Sequence, residues 1–373
     1  MNLEQRIRNI LRTAKKWQQR RADNADINTR LKNLKNKDLL VRFPLNELKP
    51  ALSDYNFFKN MDVKWLDFYY SAYGKPDENF IPVPVYYHVE DCLNDRMLTY
   101  ALKEKNFYDN FLKEIRTPFT LLRGINGFFY DARFNKIELD DDYINSWKSK
   151  HKHLFLKPSV FSGGGSSIMK FELKHDAYIC KNVVLDRHFL ANYGFDFILQ
   201  ENINQHSFYR QFNPDSNNTL RFFIYRSVKT DNIHILHTIL RIGAEGSHVD
   251  HDHAGGVAVA INDNHYLKKH AFDINGMKHK SVNGIQLSEL GQAPFVDEAA
   301  SIARSIVSRV YYGRVLALDF TVDEYGQPLF IELNCRRNGI NQYQMNNGGL
   351  FKEFTREVLD YCENKKPKYV LEL

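Results

Sequence analysis

Residues 315–333 alternate, turn, and alternate again: VLALDFTV, then DEYG, then the run from Pro328 to Leu333. Two apolar runs around a turn whose Gly326 supplies a permissive φ predict an antiparallel β-hairpin. The chemistry on this hairpin constrains what the chain can be. Asp319 sits in the first run, Glu332 near the end of the second, and Asn334 two residues beyond. Residues two apart share a sheet face, and facing strands can bring Asp319 to Glu332 and Asn334. Three hard oxygen donors suit Mg²⁺, which bridges nucleotide phosphates while keeping some of its waters. Taken alone, E-x-N is also the look of a solvated strand end.

Similar patterning appears upstream. His153 to Leu156, the stretch Ser162-Gly163-Gly164-Gly165-Ser166-Ser167, and Ile168 to Leu173 read as strand, loop, strand. Phe195 to Gln200, Thr219 to Val228 and His234 to Ile242 read as further strands. Glycines between strands let backbone N–H groups approach an anion with no Cβ in the way; a plain hairpin tip has the same composition. The Walker spacing is absent. Lys157, five residues before the loop, and Lys105 upstream can each set a point charge on a phosphate. Ala299 to Tyr311 reads as a helix, and so does Asp95 to Ile115, which stops before Pro118. Residues 43–95 hold five prolines among aromatics such as Phe57, Trp65 and Tyr69. That is too much proline for long helices and too many aromatics to lack a core, so a small irregular α/β lobe is expected.

Length, charge and cysteine content bound the rest. At 373 residues, 43% hydrophobic and 14% aromatic, the chain can bury a large core, and three lobes are expected. The net charge is +6, yet residues 1–42 carry twelve Lys/Arg and four Asp/Glu, so the remainder is slightly acidic. In that segment Leu3, Ile7, Ile10, Leu11, Ala14 and Trp17 fall on one helical stripe, with Arg6, Arg8, Arg12, Lys15 and Lys16 largely off it. Such a basic amphipathic helix docks on its own domain or a second subunit, or lies on an anionic membrane face. No sustained basic stripe follows residue 42, which argues against nucleic acid as a partner. No run approaches the ~18 apolar residues of a membrane span, and no secretory segment opens the chain. A cytoplasmic location is expected, with the helix offering contact to the inner membrane face. Cys92, Cys180, Cys335 and Cys362 form no C-x-x-C pair and are expected as reduced thiols. The run His248-Val249-Asp250-His251-Asp252-His253 is dense enough for a transition metal, but it abuts Gly255-Gly256 and reads as a hydrogen-bonding loop lining a pocket.

Taken in order, these features resemble the ATP-grasp superfamily. Lys105, Pro118, Lys157 with its glycine loop, Gln200-Glu201-Asn202-Ile203 closing a strand, and D-x₁₂-E-x-N from Asp319 to Asn334 carry the resemblance. Finer details resemble the sugar-transfer-associated branch, which is linked to surface-polysaccharide genes. These are Asn202-Ile203-Asn204-Gln205-His206, Asn213-Pro214, Asn218-Thr219-Leu220-Arg221, Leu240-Arg241-Ile242-Gly243, and Asp250 with His253-Ala254-Gly255-Gly256. The chain departs from that branch at His251, where Asn is usual, and at His279-Lys280-Ser281, which replaces a His-Pro-Asp-like step.

The resemblance implies an α+β, ATP-grasp fold in which two α+β lobes clasp Mg-ATP. Residues 105–199 would form the nucleotide lobe with the glycine loop, and 200–373 the lobe with the metal site. A basic helical segment, 1–42, and the small lobe 43–104 would precede them. It also implies an ADP-forming ligase that joins a carboxylate to an amine through an acyl phosphate, with ATP and Mg²⁺ as cofactors. The carboxylate would belong to a sugar acid or amino acid used in capsule or O-antigen decoration. By the same resemblance Lys105 and Lys157 contact the ATP phosphates, Ser162, Gly163, Gly164, Gly165 and Ser166 belong to the loop that covers them, and Glu201 and Ile203 sit at the adenine hinge. Asp319, Glu332 and Asn334 hold Mg²⁺, Arg221 and Arg241 face the γ-phosphate and the acyl group, and Asp250, His251, His253, Gly255 and Gly256 line the acceptor pocket. Two other readings stand beside the ligase: a non-catalytic nucleotide-binding partner of a glycosyltransferase, reached through the N-terminal helix, and a kinase that stops at a hydroxyl. A homo-oligomer is left open.

Overall fold

The alternating segments form two antiparallel sheets, with a cleft between them. A computed structural model describes residues 3–56, 62–160, 168–194 and 196–365, apart from the side chains of 3–5, 7–13 and 15–17. The first sheet has eight strands, in the spatial order Lys136–Ile137, Phe128–Tyr130, Thr120–Ile125, Phe197–Glu201, His153–Pro158, Met169–Lys174, Ala177–Cys180, Val183–Val184. The second has seven: Lys278–His279, Leu267–Phe272, Val257–Ile261, Ile233–Ile242, Thr219–Arg226, Val315–Val322, Pro328–Asn334. The expected hairpin is its last pair, with Gly326 at φ 80° in the turn.

The second sheet is covered on both faces, which explains why its strands read as nearly continuous apolar runs. Successive side chains point to opposite faces. Leu220, Phe222 and Ile224 pack with the helix Val296–Ser308 in one core, while Phe223 and Tyr225 enter another core built with the helices Lys64–Tyr73, Val83–Leu93 and Thr355–Asn364. A third core fills the first sheet around Leu154, Leu156, Phe171 and Leu199. The helix-covered face that carries Phe223 is divided. Its Phe223, Tyr225, Ile239 and Val315 end lies under the N-terminal and C-terminal helices. Further along the same strands and on the same face come Thr219, Arg221, Arg241 and Asp319, and these line the cleft.

Two expectations are corrected. Among the described residues, 43–104 contain helices and 3₁₀ turns but no strand, and their aromatics share a core with the second sheet instead of forming an α/β unit. The helix expected from Asp95 to Ile115 is broken into Arg96–Tyr100, Ala101–Lys103, Lys105–Phe107 and Tyr108–Phe111. The break is at Glu104, which is extended at φ −77°, ψ 108°. Its carboxylate accepts the Asn106 N–H at 3.0 Å and the Ser159 hydroxyl at 2.9 Å, and Lys105 N donates to Ser159 O at 3.0 Å. These bonds tie the segment to the end of a strand of the first sheet and turn Lys105 inward.

The N-terminal helix runs Leu3–Lys35. Its second half docks: Ile27 and Leu34 are fully buried, and Arg30 bonds the carbonyl of Ile274. In its first half Arg6, Ala14 and Gln18 are exposed, and most of the expected apolar stripe lies outside the described residues. Among the described residues no helix is long and apolar enough to cross a membrane.

His237 reports on the covered end of the divided face. It is 2% exposed, stacks on Tyr343 and bonds Leu350 O at 2.8 Å, and burial with Lys352 nearby pushes its pKa down to about 3. The unfolded imidazole takes up a proton near pH 6.5 while the folded one does not, so this contribution to stability is lost as pH falls from 6.5 towards 3. We expect the urea-measured stability advantage of wild type over His237→Gln to shrink by about 2 kcal/mol between pH 7.5 and 5. A constant gap would contradict a buried neutral imidazole.

Candidate functional site

Strand register assembles the site. Asp319 pairs with Glu332 on one side and with Arg221 on the other, and Arg241 pairs with Thr219 across the next strand. Opposed residues of an antiparallel pair project to the same face, so these five side chains form one polar patch. Between Asp319 and Phe320 the register with the last strand shifts, leaving Ile331 as an extra residue. Such bulges re-aim side chains next to functional clefts; here Ile331 and Glu332 both line it.

The cleft has a volume of about 440 Å³ and is lined from both sheets and the segment joining them. Phe155, Lys157 and Ile168 come from the first sheet and its edge, Gln200, Glu201 and Ile203 from the connection, and Arg221, Arg241, Asp319 and Glu332 from the second. Arg221 forks onto both oxygens of Asp319, and its Nη2 lies 4.0 Å from Glu332. Lys105 Nζ stands 3.6 Å from Glu332 Oε2. Arg241 Nη1 is 3.6 Å from Asp250 and 3.8 Å from Asp319, and its Nε is buried with no hydrogen-bond partner among the described residues. Asn334 donates from Nδ2 towards Asp319 at 3.4 Å and Glu332 at 3.3 Å.

Those neighbours set the charge states. Burial works against the Glu332 carboxylate, yet Lys105, Arg221 and Lys157 hold its pKa down at about 2. Burial likewise opposes the Arg221 charge, and Asp319 outweighs it, keeping the guanidinium protonated far above its ordinary value. Lys157 is different: burial and the nearby Lys105 charge, only partly offset by Glu332, bring it down to about 8. Lys157 is thus a cation short of anions, on the wall opposite the carboxylates.

The remaining expected residues sort as follows. Gln200 and Glu201 fix the connection: Gln200 Nε2 donates to Pro118 O at 3.1 Å, and Glu201 accepts the Phe119 N–H at 3.2 Å. Ser162, Gly163, Gly164, Gly165 and Ser166 lie outside the described residues. Asp250, His251 and His253 line the cleft, Asp250 accepting the Thr219 hydroxyl. The rings of His251 and His253 stack at 5.3 Å, and burial lowers the His251 pKa. Among the described residues no trio of His, Cys, Asp and Glu is arranged to hold a metal. Gly255 and Gly256 are not brought to the lining; backbone geometry explains them. Gly255 has φ 85°, and a Cβ on Gly256 would lie 2.8 Å from His251 O and 2.9 Å from Asp250 O.

Sequence reasoning missed Lys103, Arg336, Asn338 and Gln342, which also line the cleft. The signal available was the run Cys335-Arg336-Arg337-Asn338-Gly339 directly after the E-x-N. It also missed Glu90, buried at 3% exposure, which accepts from Tyr86 OH at 2.9 Å and from the backbone N–H groups of Arg337 and Asn338 at 2.7 and 3.3 Å. Nothing in the local sequence marks that role.

Two carboxylates and an amide whose Oδ1 reaches the same point after a half-turn are a hard-oxygen set that fits Mg²⁺. With Asp319 held by Arg221, Glu332 is the more available carboxylate. Facing cations fit a polyphosphate.

No curated protein matches the chain. Among solved structures, the ATP-grasp ligase PsnB complexed with a phosphomimetic variant of its minimal precursor, Mg and ADP is similar at 12% identity and a TM-score of 0.42, over 72% of this chain and 61% of that one. N5-carboxyaminoimidazole ribonucleotide synthetase from Thermotoga maritima is similar at 11% identity and a TM-score of 0.36, over 72% of this chain and 51% of that one. The chain thus spans less than two thirds of either structure. The model of the sugar-transfer associated ATP-grasp family matches residues 90–358. That match takes in both sheets and every charged residue of the cleft, and the chain belongs to the sugar-transfer associated ATP-grasp family.

Proposed function

We propose that this chain is an ATP-dependent carboxylate–amine ligase, forming an amide through an acyl phosphate, with a sugar acid or amino acid destined for a bacterial surface polysaccharide as the carboxylate. The observation that carries the reading is the meeting of Asp319, Glu332 and Asn334 with Lys105, Lys157, Arg221 and Arg241 in one cleft between two sheets. The polysaccharide part is supported only by the family's association with sugar transfer.

In this reading the adenine end of ATP lies by Phe155, Ile203 and Ile331, and the phosphates run between Lys157 on one wall and Arg221 on the other. Glu332 and Asn334 would hold Mg²⁺, which would supply the positive charge that neutralises the phosphates. A carboxylate oxygen of the substrate attacks the γ-phosphorus, the bond to ADP breaks, and the acyl phosphate forms. The charge that develops on the phosphoryl oxygens is met by fixed cations, and no side-chain nucleophile is needed. The amine then attacks the acyl carbon, the C–O bond to phosphate breaks, and a proton leaves the nitrogen. Arg241, whose buried Nε has no hydrogen-bond partner among the described residues, would stabilise the tetrahedral oxyanion. His251, kept neutral by burial, is placed to take the proton.

Calorimetry should detect Mg-ATP binding that weakens about tenfold or more in Glu332→Gln, in a variant whose circular dichroism shows that it is folded. Unchanged affinity would remove Glu332 from the site. With the true substrates, phosphorus NMR should show ADP and inorganic phosphate; a persistent phosphate ester would instead identify a kinase.

Lys157 gives the reading a pH signature. Bound phosphates favour its protonated form, so binding takes up a proton where the free lysine is neutral, and affinity falls as pH rises through about 8. We expect about a tenfold loss of Mg-ATP affinity between pH 7 and 9.5. Lys157→Met should bind weakly at pH 7 and lose most of this dependence. A wild type whose affinity is level across that range would place Lys157 away from the phosphates.

A further inference from the structure

On the side next to the helix Val83–Leu93, the cleft is walled by Lys103 and by the segment Arg336-Arg337-Asn338-Gly339 that follows the strand Pro328–Asn334. Its charge balance differs from that of the rest of the cleft. Lys105, Arg221 and Arg241 each face a carboxylate within 4.0 Å. Neither Lys103 nor Arg336 has a hydrogen bond or ion pair among the described residues, and both are partly buried. The acids of the adjoining crevice are committed elsewhere. Asp91 holds Arg96 with both oxygens, and Glu90 is occupied by Tyr86 and two backbone N–H groups.

The segment that launches Arg336 is also pinned. Arg337 sits at φ 58°, in the left-handed region that residues with a side chain seldom adopt, and its guanidinium lies 3.9 Å from the centre of the Tyr87 ring. Such a conformation persists only where the surroundings impose it, and Glu90 does so by accepting the Arg337 N–H. Asn338, 5% exposed, donates to Tyr86 OH at 3.2 Å. Two cations without acids, one of them on a fixed backbone, make a preorganised receptor for an oxyanion.

We propose that Lys103 and Arg336 form a second anion subsite, separate from the triphosphate contacts. It takes a carboxylate or phosphate borne by the acid or amine substrate and distinct from the group that reacts. This rests on the ligase reading of the cleft, and it narrows the substrate to a molecule with at least one anionic group besides the reacting carboxylate.

The test uses full-length protein saturated with Mg²⁺ and a non-hydrolysable ATP analogue, so that the triphosphate contacts are filled. Inorganic phosphate and, separately, succinate are then titrated by calorimetry into wild type, Lys103→Ala, Arg336→Ala and Arg336→Lys. We expect saturable binding of at least one anion, weakened about tenfold in each alanine variant and partly restored in Arg336→Lys. Affinity for the ATP analogue should stay within about twofold in all four. Binding of phosphate alone would point to a phosphorylated substrate, and binding of succinate alone to a second carboxylate; either supports the subsite. No anion binding to the nucleotide-saturated wild type, or equal binding by wild type and Arg336→Ala, overturns it. If the ATP analogue itself fails to bind, the ligase reading falls, and the same titrations on nucleotide-free protein, compared between wild type and Arg336→Ala, decide the subsite on their own.

Discussion

A charge buried in a sheet is tolerated only when another charge answers it. Asp319, 2% exposed in the middle of Val315–Val322, is the strictest instance in this chain. Its carboxylate would destabilise the sheet were it not forked by Arg221 from the neighbouring strand, and register makes that contact unavoidable. The same register places Glu332 on the other side of Asp319, where two carboxylates would repel each other without Lys105, Lys157 and Arg221 to hold Glu332 ionised. Asp319, Arg221, Glu332 and Lys105 are therefore an electrostatic unit, in which removing either member of the Arg221–Asp319 pair leaves the other uncompensated. The break at Glu104 belongs to it as well, because a continuous helix would not be tied to Ser159 and would not bury Lys105 against Glu332.

This arrangement also explains how one sheet face serves two purposes. On the strand Thr219–Arg226, Phe223 and Tyr225 pack under helices while Thr219 and Arg221, on the same face, line the cleft. The helix Val83–Leu93 marks the border. Tyr86 packs against Phe223 at 6.4 Å between ring centres, and Glu90, one turn on, grips the backbone of Arg337 and Asn338. Burial pushes Glu90 up to about 7 even with three donors around it, a sign of how little water reaches that border. The helical segment before the two sheets thus braces the cleft's wall.

The legibility of the sequence follows from this physics. Local alternation is set by a strand's own two faces, so the hairpin at 315–334 and the strands around 153, 219 and 234 could be read without knowing their partners. Asp319, Glu332, Asn334, Lys105, Lys157, Arg221 and Arg241 could be singled out because their order resembles a family, and the structure brings all seven to one cleft. What could not be read depends on pairing over long separations. The extra residue at Ile331 is defined only against Asp319 and Phe320, the fork of Arg221 only against a strand about a hundred residues away, and the burial of Glu90 only against a turn 247 residues later. The helix from Asp95 was misread because its periodicity is genuine, while the bonds from Glu104 to Ser159 and Asn106 that interrupt it are not visible in a local pattern.

The cations of the cleft differ in how far they are already satisfied, and that difference orders what they can do. Arg221 is committed to Asp319 by two bonds, so it fixes geometry and contributes its remaining charge at 4.0 Å from Glu332. Arg241 faces two carboxylates at 3.6 and 3.8 Å but bonds neither, so it can turn towards an anion in the cleft without breaking a bond to either. Lys157 carries the opposite signature: its lowered pKa means that its charge is destabilised until an anion arrives. A ligand that brings negative charge to Lys157 therefore relieves a cost that folding has left in place. A ligand placed against Arg221 and Asp319 meets a pair already neutralised. Attraction for an anion is therefore strongest at Lys157 on the first sheet, away from the neutralised Arg221–Asp319 pair on the second.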